Sequence, residues 1–471
     1  MSLYCSKAQS EMDNLWKKES NGAKAQYVDL FAHLDDEQKE DLIDEFTKLS
    51  TTSAGHKDNQ SSRTFRQRGD DFFRDENWSE AMDSCNKSLR FADESENVSI
   101  VYFNRSSCFF NMKMYEKALV DAERVMSSNA PTHLIPKLDQ CKQRCRERVD
   151  NIKQPPEWVP TLSYEANENH PCLANVIDIK YNREFGRHLV ATANIPIGRT
   201  VLVTKSFATI VTAEKQAYCH TCQKIKMNFI PCKNCSDVMF CDEDCANKDN
   251  LHKMECQTCY HQIDDTRLKL VVQTILVAID MLPNIESLIT FVDEVTRDKG
   301  CDTIPKTSCD APSKYGIFLT LIPTFKEKNM IWLAYQAFTC INLMPKVKQM
   351  FDTEAKQRFL MHLVLQHTIV IPKNAFNTEV EDQYTTYDIY DVLSIANHSC
   401  SPNLDCYNSG KIDYCETVRP IEKGDQLFIS YLGGEVLEST SQRRKYLKKN
   451  WGFDCKCDKC EPNVSKSHRT T

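Results

Sequence analysis

The chain has 471 residues, of which 41% are apolar and 27% are charged, so it can bury real cores and has the composition of a soluble protein. At roughly 150 residues per domain, this length suggests about three domains. The net charge of −7 argues against a protein that coats DNA through bulk positive charge, and direct DNA binding is not expected.

No secretory or membrane-spanning segment is evident in the sequence. The N-terminus lacks a basic region followed by an apolar core. The longest apolar stretch, residues 268–282, contains Lys269 and Asp280 and is shorter than the ~20 residues of a membrane span, so we interpret it as a buried helix. We expect a soluble intracellular protein, located in the cytoplasm or in both cytoplasm and nucleus.

The first 150 residues are expected to be helical. Apolar residues at helical spacing between 30 and 49 predict a helix, and the polar residues 50–62 predict a linker. Residues 62–150 contain an internal repeat with an offset of 37. The matched pairs are Arg68 with Arg105, Phe72 with Phe109, Phe73 with Phe110, Trp78 with Tyr115, Ala81 with Ala118, and Gly69 with Ser106.

This pattern resembles the tetratricopeptide (TPR) repeat, a helix-turn-helix unit of about 34 residues. A third amphipathic helix, over about 131–149, would cap the open end of the repeat array. Such repeats imply protein partners. An ordinary helical bundle is the alternative interpretation.

The sequence pattern changes from helical to strand-like after a proline-rich linker at residues 153–164. Strand-like sequence occupies 173–212 and returns at 389–432, and a cysteine-rich block and a helical region lie between the two. One β-fold with two insertions explains this order, because the entropy of closing a loop grows only slowly with its length.

The cysteine-rich block has the spacing of metal ligands. The chain contains 23 cysteines, and in a long intracellular protein clustered thiols indicate metal binding rather than disulfides. Eight soft ligands in four close pairs are sufficient for two tetrahedral zinc ions. These are Cys219, Cys222, Cys232, Cys235, Cys241, Cys245, His252 and Cys256. Cys259 and His261 compete for the last positions, and free buried thiols are the alternative.

This spacing resembles the MYND zinc finger. The resemblance implies interleaved sites, with Cys219, Cys222, Cys241 and Cys245 on one zinc and Cys232, Cys235, His252 and Cys256 on the other. Because no coordination position is open, both zinc ions are expected to be structural. The resemblance also implies binding of proline-rich peptides.

Three separated motifs beginning at Gly186, Ser394 and Gly424 resemble a SET domain, and the match is close at NHSCSPN. With a MYND block inside it and repeats ahead of it, the chain resembles the SET-and-MYND (SMYD) methyltransferase family, specifically its member 4-like proteins with N-terminal repeats. The implied fold is α+β and multidomain. The predicted segments are a helical N-terminal segment with linker (1–61), TPR-like repeats (62–150), the first part of the SET domain (173–218), the MYND finger (219–256), a helical insertion (257–370), the catalytic core of the SET domain (371–440) and a post-SET zinc region (441–461).

The resemblance implies transfer of a methyl group from S-adenosylmethionine to a lysine of a histone or non-histone protein. It makes Tyr431 the residue beside the transferred methyl group. The residues implied in cofactor binding are Gly186, Arg187, His188, Asn374, Asn397, His398, Tyr431 and Phe453. A narrow apolar channel would lower the pKa of the substrate lysine, which is about 10.4 in water, and Tyr431 could orient the amine.

A last cluster, Cys455, Cys457 and Cys460, lacks a fourth ligand, and Cys400 of the NHSC motif is the natural candidate. In SET proteins of this type such a post-SET zinc ties the C-terminal segment to the active site. Together with the two ions of the MYND block, the sequence therefore predicts three zinc ions. A surface thiol cluster without metal is the alternative.

Two features depart from the family pattern. His188 stands where many SET domains have a second glycine, and histidine tolerates fewer backbone angles than glycine. The sequence also stops soon after Cys460, without the long helical domain that SMYD proteins usually carry, so we expect a more open substrate site. The rival interpretation is a SET, MYND and TPR scaffold with weak or no catalysis that recruits partners in transcriptional regulation.

Overall fold

The computed structural model describes residues 36–51, 55–127, 131–149, 158–214, 217–225, 227–297, 311–324, 330–380, 384–409, 412–432 and 438–462. The chain divides into two units. The helical unit comprises Asp44–Trp158 and Ala213–Ile263, and the β-rich unit comprises Met1–Ile43, Val159–Thr212 and Asp264–Thr471. The first residues of the helix predicted between 30 and 49, including Leu30, Phe31 and Leu34, lie outside the described residues.

The N-terminal region of the described chain, residues 36–149, is helical, as the sequence predicts. The helices are α1 (Asp36–Thr51), α2 (Asn59–Arg74), α3 (Trp78–Phe91), α4 (Ser95–Asn111), α5 (Tyr115–Ser127) and α6 (Ile135–Val149). Asp58 begins α2 by accepting hydrogen bonds from the backbone N–H groups of Gln60 and Ser61, so this helix starts inside the stretch that the sequence assigns to a linker.

The turn between paired helices repeats along the chain. After α2, Glu76 has a φ of +60° and Asn77 N donates to Phe72 O; after α4, Lys113 has a φ of +61° and Met114 N donates to Phe109 O. The offset between the two turns is the 37 residues of the sequence repeat. A Cβ on Gly69 would lie 3.3 Å from Ser84 Cβ, which explains the small residue in a closely packed helix pair.

A short cysteine-rich module completes the helical unit. It contains β5 (Ile230–Pro231), β6 (Met239–Phe240), α7 (Glu243–Lys248) and α8 (Asn250–Glu255). The guanidinium of Arg105 on α4 is fully buried, forms an ion pair with Asp121 on α5 at 2.6 Å, and donates to Phe229 O of the module at 2.8 Å. This module is therefore anchored to the helices by a buried charged pair as well as by apolar packing.

Over the described residues, the β-rich unit contains four small sheets. Its strands are β1 (Ile177–Asn182), β2 (Gly186–Ala191), β3 (Thr200–Thr204), β4 (Ala208–Thr212), β7 (Ala375–Val380), β8 (Tyr384–Ile389), β9 (Asn397–His398), β10 (Leu404–Ser409), β11 (Ile412–Thr417) and β12 (Phe428–Ile429). The strand orders are β1-β2, β10-β11-β3, β4-β8-β7 and β12-β9. All pairs are antiparallel except β12 with β9, which is parallel.

Helices separate the early strands from the late ones. They are α9 (Thr266–Met281), α10 (Ile285–Arg297), α11 (Ala311–Thr320), α12 (Met330–Asn342), α13 (Pro345–Met350) and α14 (Glu354–Asn374), and α15 (Thr440–Asn450) follows the last strand. The predicted apolar helix is α9, and most of its side chains are buried. Within the described chain, no single helix is long and apolar enough to cross a membrane. Helices α9 and α10 have the necessary length and apolarity only when taken together, and the chain bends by 107° between them.

Two local findings differ from the sequence-based expectations. Cys406 and Cys415 face each other across β10 and β11 and form a disulfide, which the sequence analysis did not predict. His188 lies inside β2, paired with Lys180, and is absent from the described residues with positive φ, whereas Gly186 has a φ of +65°. The position with positive φ, residue 186, is therefore a glycine, and the backbone at residue 188 does not require one.

We expect Asp121→Ala to lower the free energy of unfolding of the helical unit by about 3–5 kcal/mol, because it leaves the Arg105 guanidinium buried without its counter-ion. Urea denaturation followed by far-UV circular dichroism measures the change. The matched control is Glu94→Ala, whose pair with Arg63 is half exposed and should contribute less than about 1 kcal/mol. Equal effects of the two variants would contradict the structural role of the buried pair.

Candidate active site and cysteine clusters

Three distant stretches meet around the parallel pair β9 and β12. Asn397 is registered with Phe428, and His398 with Ile429. On the other side, Leu427 N donates to Leu189 O of β2. The Asn397 amide donates to Phe185 O at 3.1 Å and to Gln426 Oε1 at 2.9 Å. The structure therefore brings together the segments around Gly186, Asn397 and Gly424 from which the sequence predicts one site.

Tyr431 donates two hydrogen bonds, one from its backbone to His398 and one from its side chain to Ala396. Tyr431 N donates to His398 Nδ1 at 2.9 Å, and the Tyr431 hydroxyl donates to Ala396 O at 2.7 Å. Burial raises the pKa of the Tyr431 hydroxyl well above its usual value and lowers the pKa of His398 to about 4. Both groups are therefore neutral near pH 7, and since Nδ1 accepts a hydrogen bond, the proton of His398 resides on Nε2.

Aromatic rings surround this pair. The ring centroid of Phe453 lies 6.0 Å from that of His398 and 6.4 Å from that of Tyr431. Trp451, which the sequence analysis missed, lies nearer to Tyr431, with ring centroids 5.1 Å apart. Its Nε1 donates to Lys373 O at the end of α14. Its only sequence signal is its position two residues before Phe453.

Three other predicted cofactor residues have their polar groups engaged by the chain. The Asn374 amide donates to Ile322 O and Val370 O, so its Oδ1 is the atom left for a ligand. The Arg187 guanidinium donates to the hydroxyl and carbonyl oxygens of Thr320, a contact that the sequence did not suggest. His188 is buried and bonds Gly186 O through Nδ1.

A cluster of four thiols lies beside Tyr431. The Sγ atoms of Cys400, Cys455, Cys457 and Cys460 all lie within 4.8 Å of one another, as the sequence predicts for one metal site. Sulfur atoms bound to one zinc at about 2.3 Å lie about 3.8 Å apart in a tetrahedron. The Cys400–Cys455 and Cys400–Cys460 separations of 3.8 and 3.6 Å fit this geometry. His398 Nε2 is 3.2 Å from Cys400 Sγ, so one imidazole connects the thiols to Tyr431.

The helical unit contains two further clusters with the predicted memberships. Cys219, Cys222, Cys241 and Cys245 form one group, and Cys232, Cys235, His252 and Cys256 form the other. In the second group, His252 faces Cys232 with Nε2 at 3.2 Å. Of the competing ligands, buried Cys259 belongs to neither group, and His261 lies in a separate cluster with His220, His252 and Glu255. Sequence reasoning missed that cluster, because no regular spacing links its members.

The geometry agrees with what comparison with known proteins finds. The family model described as SET domain matches residues 186–432. The chain is 21% identical to the protein-lysine N-methyltransferase SMYD4 of Danio rerio, over 89% of this chain and 68% of that protein. The mouse (Mus musculus) protein of the same name is 22% identical, over 88% of this chain and 68% of the mouse protein.

More distant similarities cover less of the chain. The human histone-lysine N-methyltransferase SMYD3 is 24% identical over 54% of each protein. A crystal structure of the SET domain of LSMT, bound to lysine and AdoHcy, aligns with 61% of this chain and about half of its own length, 53%. Its identity of 13% and TM-score of 0.28 are too low for a comparison of the two folds.

We expect Cys457→Ala to reduce the bound metal of the purified protein by one equivalent, because the cluster around Cys400 would lose one of its four ligands. Elemental analysis by mass spectrometry measures the loss. The control is Cys172→Ala, a half-buried cysteine outside the thiol clusters. Unchanged metal content in Cys457→Ala would show that these four thiols hold no ion.

Proposed function

The chain belongs to the SET domain family, and we propose that it is a SMYD4-like protein-lysine N-methyltransferase that uses S-adenosylmethionine. The observation that carries this proposal is that Asn397 donates to the Phe185 carbonyl just before β2, while the adjoining His398 accepts a hydrogen bond from Tyr431 N. Its substrates are lysine side chains of histone or non-histone proteins.

S-adenosylmethionine supplies an electrophilic methyl group on a sulfonium, and the protein must align this group with a neutral amine. Tyr431 cannot remove a proton from the lysine, because burial keeps the phenol neutral. Its hydrogen is committed to Ala396 O, so the lone pairs of its oxygen face away from that carbonyl. We assign Tyr431 to orienting the amine and to stabilising positive charge that surrounds the methyl group.

The lysine itself must reach the neutral form. Tyr431, Trp451 and Phe453 provide apolar ring surface at the site. Desolvation between such rings disfavours an ammonium ion and lowers the pKa of a lysine. The aromatic wall therefore favours deprotonation of the substrate before methyl transfer.

We further propose that the three thiol clusters each hold a structural zinc ion, two in a MYND-like finger and one in a post-SET site. Their four-ligand composition supports this assignment. The repeated turns of α2 to α5 support TPR-like repeats as a surface for protein partners, and the finger is proposed to bind proline-rich peptides. The proposed location is the cytoplasm, with or without the nucleus.

We expect Tyr431→Phe to reduce methyl transfer about 10²-fold, because the variant lacks the oxygen that faces the reacting group. Tritiated S-adenosylmethionine in a cell lysate, with the labelled bands quantified, measures the activity. Tyr407→Phe is the matched control, since this tyrosine is 41% exposed on β10. Equal labelling by wild type and Tyr431→Phe would remove Tyr431 from the mechanism.

We expect Asn397→Ala to weaken binding of S-adenosylmethionine about tenfold, because Phe185 O and Gln426 Oε1 lose their shared donor, at a cost of about 1–2 kcal/mol. Isothermal titration calorimetry measures the affinity. Asn104→Ala, on α4, is the control. A wild-type protein that binds no S-adenosylmethionine at millimolar concentration would instead support the catalytically inactive scaffold.

A further inference from the structure

The Glu255 carboxylate, at the end of α8, lies at the centre of a histidine cluster that the proposed function does not use. Its side chain is fully buried. Glu255 Oε1 is 2.9 Å from His220 Nε2, 3.2 Å from His261 Nε2 and 3.5 Å from His252 Nδ1. All four atoms lie within 4.8 Å of one another, which is the spacing of ligands around one ion.

These atoms are close, but most of them are poorly aligned for hydrogen bonding. Among the described residues, both oxygens of Glu255, His261 Nε2 and His252 Nδ1 have no hydrogen-bond partner with acceptable angles. A buried carboxylate without hydrogen bonds is strongly destabilising. Atoms that approach closely without pointing at one another are the arrangement expected around a shared central cation.

We propose that His220, Glu255 and His261 bind a divalent zinc ion, in addition to the ions of the thiol clusters. Two imidazole nitrogens and one carboxylate oxygen are an established zinc ligand set, with solvent as the fourth ligand. At about 2.0–2.1 Å from zinc, such ligands lie about 2.9–3.4 Å apart for bond angles near 90–110°. The 2.9 and 3.2 Å separations from Glu255 Oε1 fall in this range.

The hydrogen bonding around His220 suits a metal ligand. Its Nδ1 lies 2.8 Å from Asp249 Oδ2, which also accepts a hydrogen bond from the Thr221 hydroxyl at 2.9 Å. A carboxylate that accepts the Nδ1 proton fixes the tautomer and presents the lone pair of Nε2 to a metal. Asp249 is therefore a positioning residue for this site.

His252 is assigned to the neighbouring thiol cluster. Its Nε2 faces Cys232 and Cys235, at 3.2 and 3.6 Å. Binding a second metal through Nδ1 would require the loss of both ring protons, so the new site has three protein ligands rather than four.

The charge of this region supports the assignment. Asp249 and Glu255 are both buried, and the adjoining cluster supplies three thiols to its own site. A divalent cation neutralises the two carboxylates while all histidines of the site remain neutral. In the alternative arrangement, no metal is bound and a protonated His220 bridges the two carboxylates. Burial lowers the pKa of His220, but the charges of Glu255 and Asp249 outweigh burial and raise this pKa to about 9.

The zinc site and the protonated histidine bridge predict different metal contents for the protein. The 471-residue chain loaded with zinc should contain one equivalent more than the three thiol clusters account for. His261→Gln should lose that one equivalent, and His133→Gln, which changes an exposed histidine of the same unit, should lose none. Wild type and His261→Gln with identical zinc content would overturn the proposal.

Cobalt substitution distinguishes loss of this site from collapse of the thiol clusters. Cobalt bound by thiolates gives intense sulfur-to-metal charge-transfer absorption, which a site of nitrogen and oxygen ligands lacks. His261→Gln should lose one cobalt equivalent with unchanged charge-transfer intensity, whereas Cys222→Ala should lose intensity. If His261→Gln also loses intensity, the wild-type protein is measured instead. A wild type that has full charge-transfer intensity but binds only three metal equivalents overturns the proposal.

Discussion

The candidate active site depends on one neutral imidazole, that of His398. His398 accepts a hydrogen bond from Tyr431 N through Nδ1 and approaches the thiol of Cys400 with Nε2. Because burial keeps this ring uncharged, each nitrogen has a fixed role, one as acceptor and one as donor. The thiol cluster of Cys400, Cys455, Cys457 and Cys460 is therefore connected to the candidate active site through His398. It holds the histidine that positions the backbone of Tyr431, and through Cys455 it also holds the segment that carries Phe453.

The cysteine clusters and the meeting of distant motifs could be predicted from sequence, because paired cysteines and the NHSC motif are local patterns. Contacts made by tertiary packing could not be predicted from the sequence. Trp451 is placed by the end of α14, and Arg187 finds Thr320 133 residues away. The disulfide depends on the register of β10 with β11. The residues around Glu255 come together only because α8 and the turn at His220 fold onto each other.

The matched arginines of the sequence repeat have different environments. Arg68 and Arg105 occupy matched positions, yet Arg68 is exposed and stacks on Phe72, while Arg105 is fully buried against Asp121 and Phe229 O. Arg124 makes a similar contact with Asn228 O. Both helix pairs therefore support the cysteine-rich module, because Asn86 and Arg90 on α3 also donate hydrogen bonds to it, at Met227 O and Ser236 O.

The position of Trp451 gives the protein a built-in optical reporter. The chain has only five tryptophans, and the indole of this one lies between Tyr431 and Tyr446, with centroids 5.1 and 6.0 Å away. Indole emission responds to the polarity and water content of its surroundings. Any molecule that displaces solvent from the ring of Tyr431 therefore changes the environment of a fluorophore in direct contact with that ring. Binding beside Tyr431 can be followed by tryptophan fluorescence, without a label and without turnover.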